Sequence, residues 1–312
     1  MTTTTTTDRI RIRIFSGFCP SENCKDVYER LCEVGSMANY GPDKEIYITN
    51  DDDYSHVIIL NTAMPQLRAD VPKENVIGFA FEPPQFLNVT PEFIRYAQSH
   101  IGKYFIGDAT GLPEPFVERY SHMWHNPFNP EGSGSITKDR IMSIMVSEKT
   151  REAGHAYRHK LVNAILETDL PIDVYGRGCR YYNYLGDARV KGEFQEAEPY
   201  LPYMYHIAIE NFETNAYFSE KIVNALLART VPIYMGCLTI NEHFPNMVIR
   251  LSGDLRKDMQ LLAAICADPE TYVKTIDIEH VKNVVYLLRN VGSREPTSKK
   301  TLLLYEVKHC VF

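Results

Sequence analysis

The stretch YHIAIENFETNAYFSEKIVNALLARTVPIYMG, Tyr205–Gly236, reads as strand, loop, helix, strand. The apolar run from Tyr205 predicts a strand that ends at Glu210 and Asn211, followed by a loop to Phe218. Ser219 is a natural N-cap for a helix begun by Glu220 and Lys221 and running to Ala228, and VPIYMG predicts the next strand. A helix N-terminus presents free amides and attracts anions, and a lysine sits there against the helix dipole. Lys221 in that place suggests a phosphate to hold. A solvated Glu220–Lys221 surface pair is the alternative that the spacing alone leaves open.

The same alternation extends outward on both sides. Upstream, IMSIMVS from Ile141, a helix through Tyr157 to Leu166 and PIDVYG from Pro171 complete a second α/β unit, and Lys257 to Thr275 and HVKNVVYLLRN from His280 read as closing helices. The first half alternates IRIRIF from Ile10, a helix near Asp26 to Met37, EIYIT from Glu45, HVIIL from His56, VIGFAF from Val76, a helix after Pro91 and YFIG at Tyr104. Strands interleaved with helices predict mostly parallel sheets. Pro113, Pro115, Pro127 and Pro130, followed by EGSGS at Glu131–Ser135, form the most breaker-rich stretch and read as a linker. The expected division is therefore residues 1–133, 134–290 and a tail of 291–312. Two such units predict a cleft between the carboxyl edges of their sheets, where open α/β sheets bind ligands.

The 312 residues are 44% hydrophobic and 23% charged, in the ordinary globular range, which excludes disordered and collagen-like chains. A net charge of −7, from 40 acidic and 33 basic residues, creates no global field for nucleic acid or anionic lipid, so any phosphate site must be local. No apolar run approaches the ~20 residues needed to cross a bilayer. The start, six threonines and then Asp8, lacks the pattern of a signal peptide, so a cytoplasmic protein is expected. Seven cysteines at irregular spacings read as reduced thiols, and Cys19, Cys24 and Cys32 lack a closely spaced fourth ligand for zinc.

In order, IEN at Ile209–Asn211, Tyr217, SEK at Ser219–Lys221 and VPIYMG at Val231–Gly236 resemble the donor-binding signature of the α1,3/4-fucosyltransferases, glycosyltransferase family 10. Ile209 stands where the family has phenylalanine, and Arg229-Thr230 replaces a small pair ahead of Val231-Pro232. Weaker collinear support comes from the strand ending near Ser147, the Tyr157-Arg158 helix and the Ile172–Gly176 strand; the first half adds the FEPP segment at Phe81–Pro84. The resemblance implies a GT-B fold of two Rossmann-like domains facing each other across a cleft, and inverting transfer of fucose from GDP-fucose to a glycan hydroxyl. The substitutions keep open another donor, GDP-mannose or a UDP-sugar; a glycan- or nucleotide-binding module without turnover is the other alternative. It further implies Asn211 and Lys221 as diphosphate ligands, Arg158 as a second phosphate cation, Glu220 as partner of the ribose hydroxyls and Tyr217 as a wall of the nucleotide pocket. Such cations stabilise the charge that develops on the leaving diphosphate, so no obligatory metal is expected. Family members of the secretory pathway carry a membrane anchor, and this sequence shows none.

An inverting displacement also needs a base for the acceptor hydroxyl. Glu82, at the carboxyl end of VIGFAF and before Pro83-Pro84, is the candidate, with Asp108 after YFIG in reserve. A rival motif is Asp51-Asp52-Asp53 after EIYIT, because an acidic turn after an apolar strand is also how metal-dependent transferases hold a divalent cation. The rival lies in the half without the phosphate-reading segment.

Overall fold

The computed structural model describes residues 10–26, 46–121, 128, 130, 137–195 and 197–285. The threonine leader, most of the helix expected near Asp26–Met37, the Glu131–Ser135 linker and the expected tail 291–312 lie outside them. Two compact units emerge, Met1–Pro127 with Asn283–Phe312, and Phe128–Lys282. The changeover thus falls slightly ahead of the expected linker boundary.

The first unit holds β1 (Ile10–Ser16), β2 (Ile46–Ile48), β3 (His56–Leu60), β4 (Val76–Phe79), β5 (Lys103–Ile106) and β6 (Phe116–Glu118) in one parallel sheet of order β2-β1-β3-β4-β5-β6. Every residue of β3 and β4 is buried, the pattern of parallel strands covered on both faces. Helix α1 (Pro91–His100) starts where the sequence puts its signals: the Thr90 side chain accepts from the Phe93 amide at 3.1 Å and Pro91 fills the first turn. It buries Phe93 edge-on against Tyr104, whose hydroxyl donates to the Asn61 carbonyl at 2.7 Å.

The second unit holds β7 (Arg140–Met145), α2 (Ala153–Leu166), β8 (Ile172–Tyr175), β9 (Val190–Gly192), β10 (Tyr203–Thr214), α3 (Glu220–Leu227), β11 (Val231–Cys237), β12 (Ile249–Arg250) and α4 (Leu255–Ala267). Its parallel sheet runs β12-β11-β10-β7-β8-β9. Counting strands within the unit, this is the doubly wound order in which the direction of strand addition reverses between β7 and β10, the switch point where such sheets bind ligands. One face buries Met142, Ile144, Ile207 and Ile209 against Leu161, Val162 and Ile165 of α2. A final helix, α5 (Ile278–Val285), carries the chain across the division between units.

Differences from expectation have local causes. The strand expected to stop at Asn211 continues to Thr214. Helix α2 begins at Ala153, a turn before Tyr157, because the Glu152 amide donates to His155 Nδ1 at 3.4 Å and closes the N-terminus there. Helix α4 stops at Ala267 and gives way to a 3₁₀ turn at Pro269–Tyr272, since Pro269 cannot continue it, instead of running to Thr275. The strands that sequence did not announce, β6, β9 and β12, have two or three residues and lie at sheet edges.

Gly154 is where α2 approaches β10 most closely, for a Cβ there would overlap the carbonyl of Glu210. A glycine-to-alanine change in a helix ordinarily gains up to ~1 kcal/mol. Overlap with backbone cannot be relieved by a side-chain rotation, so the clash should win. Gly154→Ala should destabilise the protein by ~1–3 kcal/mol, the range for overpacking, read as a lower urea midpoint at unchanged slope.

Candidate functional site

At the switch point lies a cavity of about 480 Å³. Its walls come from the carboxyl end of β7 (Met145–Ser147), the turn after β8 (Gly176, Arg177), the segment after β9 (Glu193, Phe194), the middle of β10 (His206–Ile209), Arg158 of α2 and Glu220 and Lys221 of α3. All of these belong to the second unit. The structure therefore brings three of the expected donor residues, Arg158, Glu220 and Lys221, to one cavity.

Arg158 lies in the second turn of α2 and is 6% exposed. Helical side chains lean toward the N-terminus, and its Nε donates back to the Gly154 carbonyl at 3.2 Å while Nη2 donates to Asn211 Oδ1 at 2.5 Å. Burial lowers its pKa, against the opposing pull of Glu210 and Glu220, but a guanidinium stays charged. Asn211 thus holds Arg158, a wall residue, and Tyr217 is buried with its amide donating to Thr214 Oγ1 at 3.2 Å. Neither Asn211 nor Tyr217 is among the residues that form the cavity's walls, and the strand runs three residues past Asn211.

Lys221 is fixed by a residue that the sequence reading passed over. Glu210 is 2% exposed; its Oε1 accepts from the Ser219 amide and hydroxyl at 2.9 Å each, its Oε2 from that hydroxyl at 2.8 Å, and Lys221 Nζ lies 3.3 Å from Oε2. Lys221 Nζ also donates to Ser219 Oγ at 3.0 Å and to Glu220 Oε1 at 3.2 Å. Ser219 caps α3 as expected, accepting from the Lys221 amide. Burial works against the Lys221 ammonium, but the charges of Glu210 and Glu220 outweigh it and hold the pKa above the usual lysine value. Desolvation likewise opposes ionisation of Glu220, yet the Lys221 charge holds that carboxyl below its usual range. The Glu220–Lys221 pair is therefore real, but it is one edge of a buried network and no mere surface pair.

Two neutral imidazoles complete the surroundings. His206, on the cavity wall, is pushed down to about 3 by burial and has Nδ1 2.8 Å from Ser143 Oγ. His155 is pushed down to about 4 by burial and then by the nearby charges of Arg158, Lys149 and Lys221. Arg177, Glu193 and His206 were missed as wall residues; only the Gly176-Arg177 turn, at a strand's carboxyl end, carried a usable signal.

In the first unit Glu82 follows the carboxyl end of β4 and is half-buried, just ahead of the single-turn helix Pro84–Leu87. Asp108, beyond β5, accepts from the Thr110 amide at 2.9 Å and so closes its own turn. The acidic turn has arginine partners: Asp52 pairs with Arg13 at 2.5 Å, and Asp53 with Arg11 at 2.7 Å and Arg68 at 3.3 Å. Cys19 and Cys24 are free thiols with sulfurs 3.4 Å apart; Cys32 lies outside the described residues. Among the described residues no helix is long and apolar enough to cross a membrane.

With this geometry in hand, similarity to known proteins can be placed on the chain. A fucosyltransferase-like protein of Arabidopsis thaliana is 26% identical over 124 residues, 38% of this chain; the match spans 23% of the relative's length. A crystal structure of an alpha1,3-fucosyltransferase matches with a TM-score of 0.55 at 11% identity, over 99% of this chain and 92% of that one. HepE of Anabaena in complex with UDP-glucose matches with a TM-score of 0.53 at 10% identity, over 96% and 99% of the two chains. At such identities these structures establish the fold, a GT-B arrangement of two parallel α/β units. The profile of the glycosyltransferase family 10 (fucosyltransferase) C-terminal domain matches residues 136–291, half of the chain and all of the cavity's walls, and the chain belongs to that family.

Proposed function

We propose that the protein transfers fucose from GDP-fucose to a hydroxyl of a glycan acceptor with inversion at the transferred carbon. The observation that carries the reading is the pair of cations, Arg158 and Lys221, supplied by different helices to one cavity at the switch point of the family-10 region. In this reading they hold the donor diphosphate and stabilise the charge that grows on it as the sugar departs, which is worth most in the transition state. Glu220, its carboxylate more than half exposed, accepts the ribose hydroxyls. Asn211 serves by orienting Arg158. Glu82, which follows β4, is in this reading the base that takes the acceptor's proton.

Binding tests the donor assignment directly. Of GDP, GDP-fucose, GDP-mannose, UDP-glucose and free nucleotides, GDP and GDP-fucose should raise the melting temperature most, since a ligand of the native state adds RT ln(1 + [L]/Kd) to stability. Preferential stabilisation by a UDP-sugar would move the donor assignment. Arg158→Ala and Lys221→Ala should each weaken GDP binding by ~1.5–3 kcal/mol, the value of a charge-assisted hydrogen bond. Unchanged affinity in both variants would remove the cavity from the reading.

Chemistry is tested separately. Glu82→Gln should keep GDP affinity while kcat falls on the order of 10²–10⁴-fold, as when an acid–base group is lost. Near-normal turnover would pass the role to Asp108 or another carboxylate of the first unit. Because Arg158 and Lys221 supply the positive charge, turnover should survive EDTA. Activity lost to EDTA and restored by Mn²⁺, with a matching loss in Asp51→Ala or Asp53→Ala, would favour a metal at the acidic turn.

A further inference from the structure

Resting on the reading that the cavity takes a nucleoside diphosphate, we propose that Glu210 is the positioning residue for Lys221. It fixes the ammonium at the cavity wall and itself fills the anion seat at the N-terminus of α3. The sequence suggested that the amides of this helix end would receive the ligand's phosphate. The Ser219 amide is instead spent on Glu210 Oε1 and the Lys221 amide on Ser219 Oγ, so a built-in carboxylate occupies the place. An incoming diphosphate is left to the side-chain cations.

Three features show that this carboxylate is held in place for a purpose beyond capping. The capping bond itself, from the Lys221 amide to Ser219 Oγ, does not involve the acid. Burying a carboxylate costs several kcal/mol unless it is paired, and an apolar residue of similar volume often does as well or better for stability. Glu210 is also confined on two sides: a Cβ at Gly154 would overlap its carbonyl, and one at Gly236 would overlap its side chain and the Tyr234 hydroxyl. Its Oε2 is thereby aimed at Lys221 Nζ. The charged and titratable groups acting on Lys221 are Glu210 from β10, Glu220 from its own helix, and Arg158 and His155 from α2. Of these, Glu210 is the buried acid and first among the influences that favour the charged ammonium.

A double-mutant cycle read by GDP binding tests the proposal, using the full chain and Glu210→Gln, Lys221→Met and the double variant, with melting temperatures recorded for each. Glu210→Gln should weaken GDP about tenfold with Lys221 present and hardly at all in Lys221→Met, the non-additivity of groups that act through one another. Its affinity should also begin to fall at lower pH than that of the wild type, because the amide no longer holds the ammonium charged. Equal losses in both backgrounds, or an alkaline limb that does not move, would overturn the proposal and leave Glu210 a structural residue. Should Glu210→Gln not fold, Glu210→Asp carries the same cycle, since it keeps the charge but withdraws the carboxylate by one methylene from Lys221 Nζ. Non-additivity with Lys221→Met supports the proposal, and additivity overturns it. A wild-type protein that binds no GDP would overturn the functional reading, and this inference with it, which the other outcomes do not.

Discussion

A single buried carboxylate organises the second unit. Glu210 sits on β10, at the centre of its sheet, and three elements meet at it: α2 through Gly154, β11 through Gly236, and α3 through Ser219 and Lys221. An acid taken out of water must have its oxygens satisfied, and the donors that satisfy it fix where α3 begins. The glycines follow from the same constraint, because the backbone and side chain of Glu210 leave no room for a Cβ at either position. What resembles a list of separate motif letters, Glu-Asn, Ser-Glu-Lys and a final glycine, is one packed object.

The cations of the cavity inherit their precision from this object and from its neighbour. Asn211, the next residue, points the other way along the strand and holds Arg158, so adjacent residues of β10 anchor two helices that each offer a positive charge. Long flexible cations lose rotamer entropy when they bind a ligand, and prior anchoring removes part of that cost. Their positive charges are offset by Glu210 and Glu220 within the same network. The acidic turn of the first unit is balanced in the same way by Arg11, Arg13 and Arg68.

Much of the architecture is legible as sequence because parallel strands buried on both faces have to be continuous apolar runs. HVIIL, VIGF and the Tyr205–Ile209 run could be read for that reason, and Thr90, Ser219 and Pro91 marked helix starts through local chemistry. Beta strands such as Val190–Gly192 and Ile249–Arg250 could not, since two or three residues carry no periodicity and exist only by pairing with a neighbour. Arg158 and Lys221 were recognisable because their types and order within a strand–helix pattern are specific. The continuation of β10 past Asn211 was not legible, because it is decided by pairing with β11 at Thr214 and Cys237.

The sequence alone determined the two-unit α/β class, the positions of the long strands and capped helices, and the membership of its second half in a family of transferases. These depend on short-range patterns, apolar runs, caps and breakers, that act over a few residues. Tertiary structure alone decided that Glu210 is a hub, that Asn211 holds Arg158, that His206 lies buried on the cavity wall, and that the Ser219 amide ahead of α3 is bonded to Glu210. Each of those is a contact between residues distant in the chain or a consequence of burial, and neither separation in space nor loss of solvent is written in the local order of side chains.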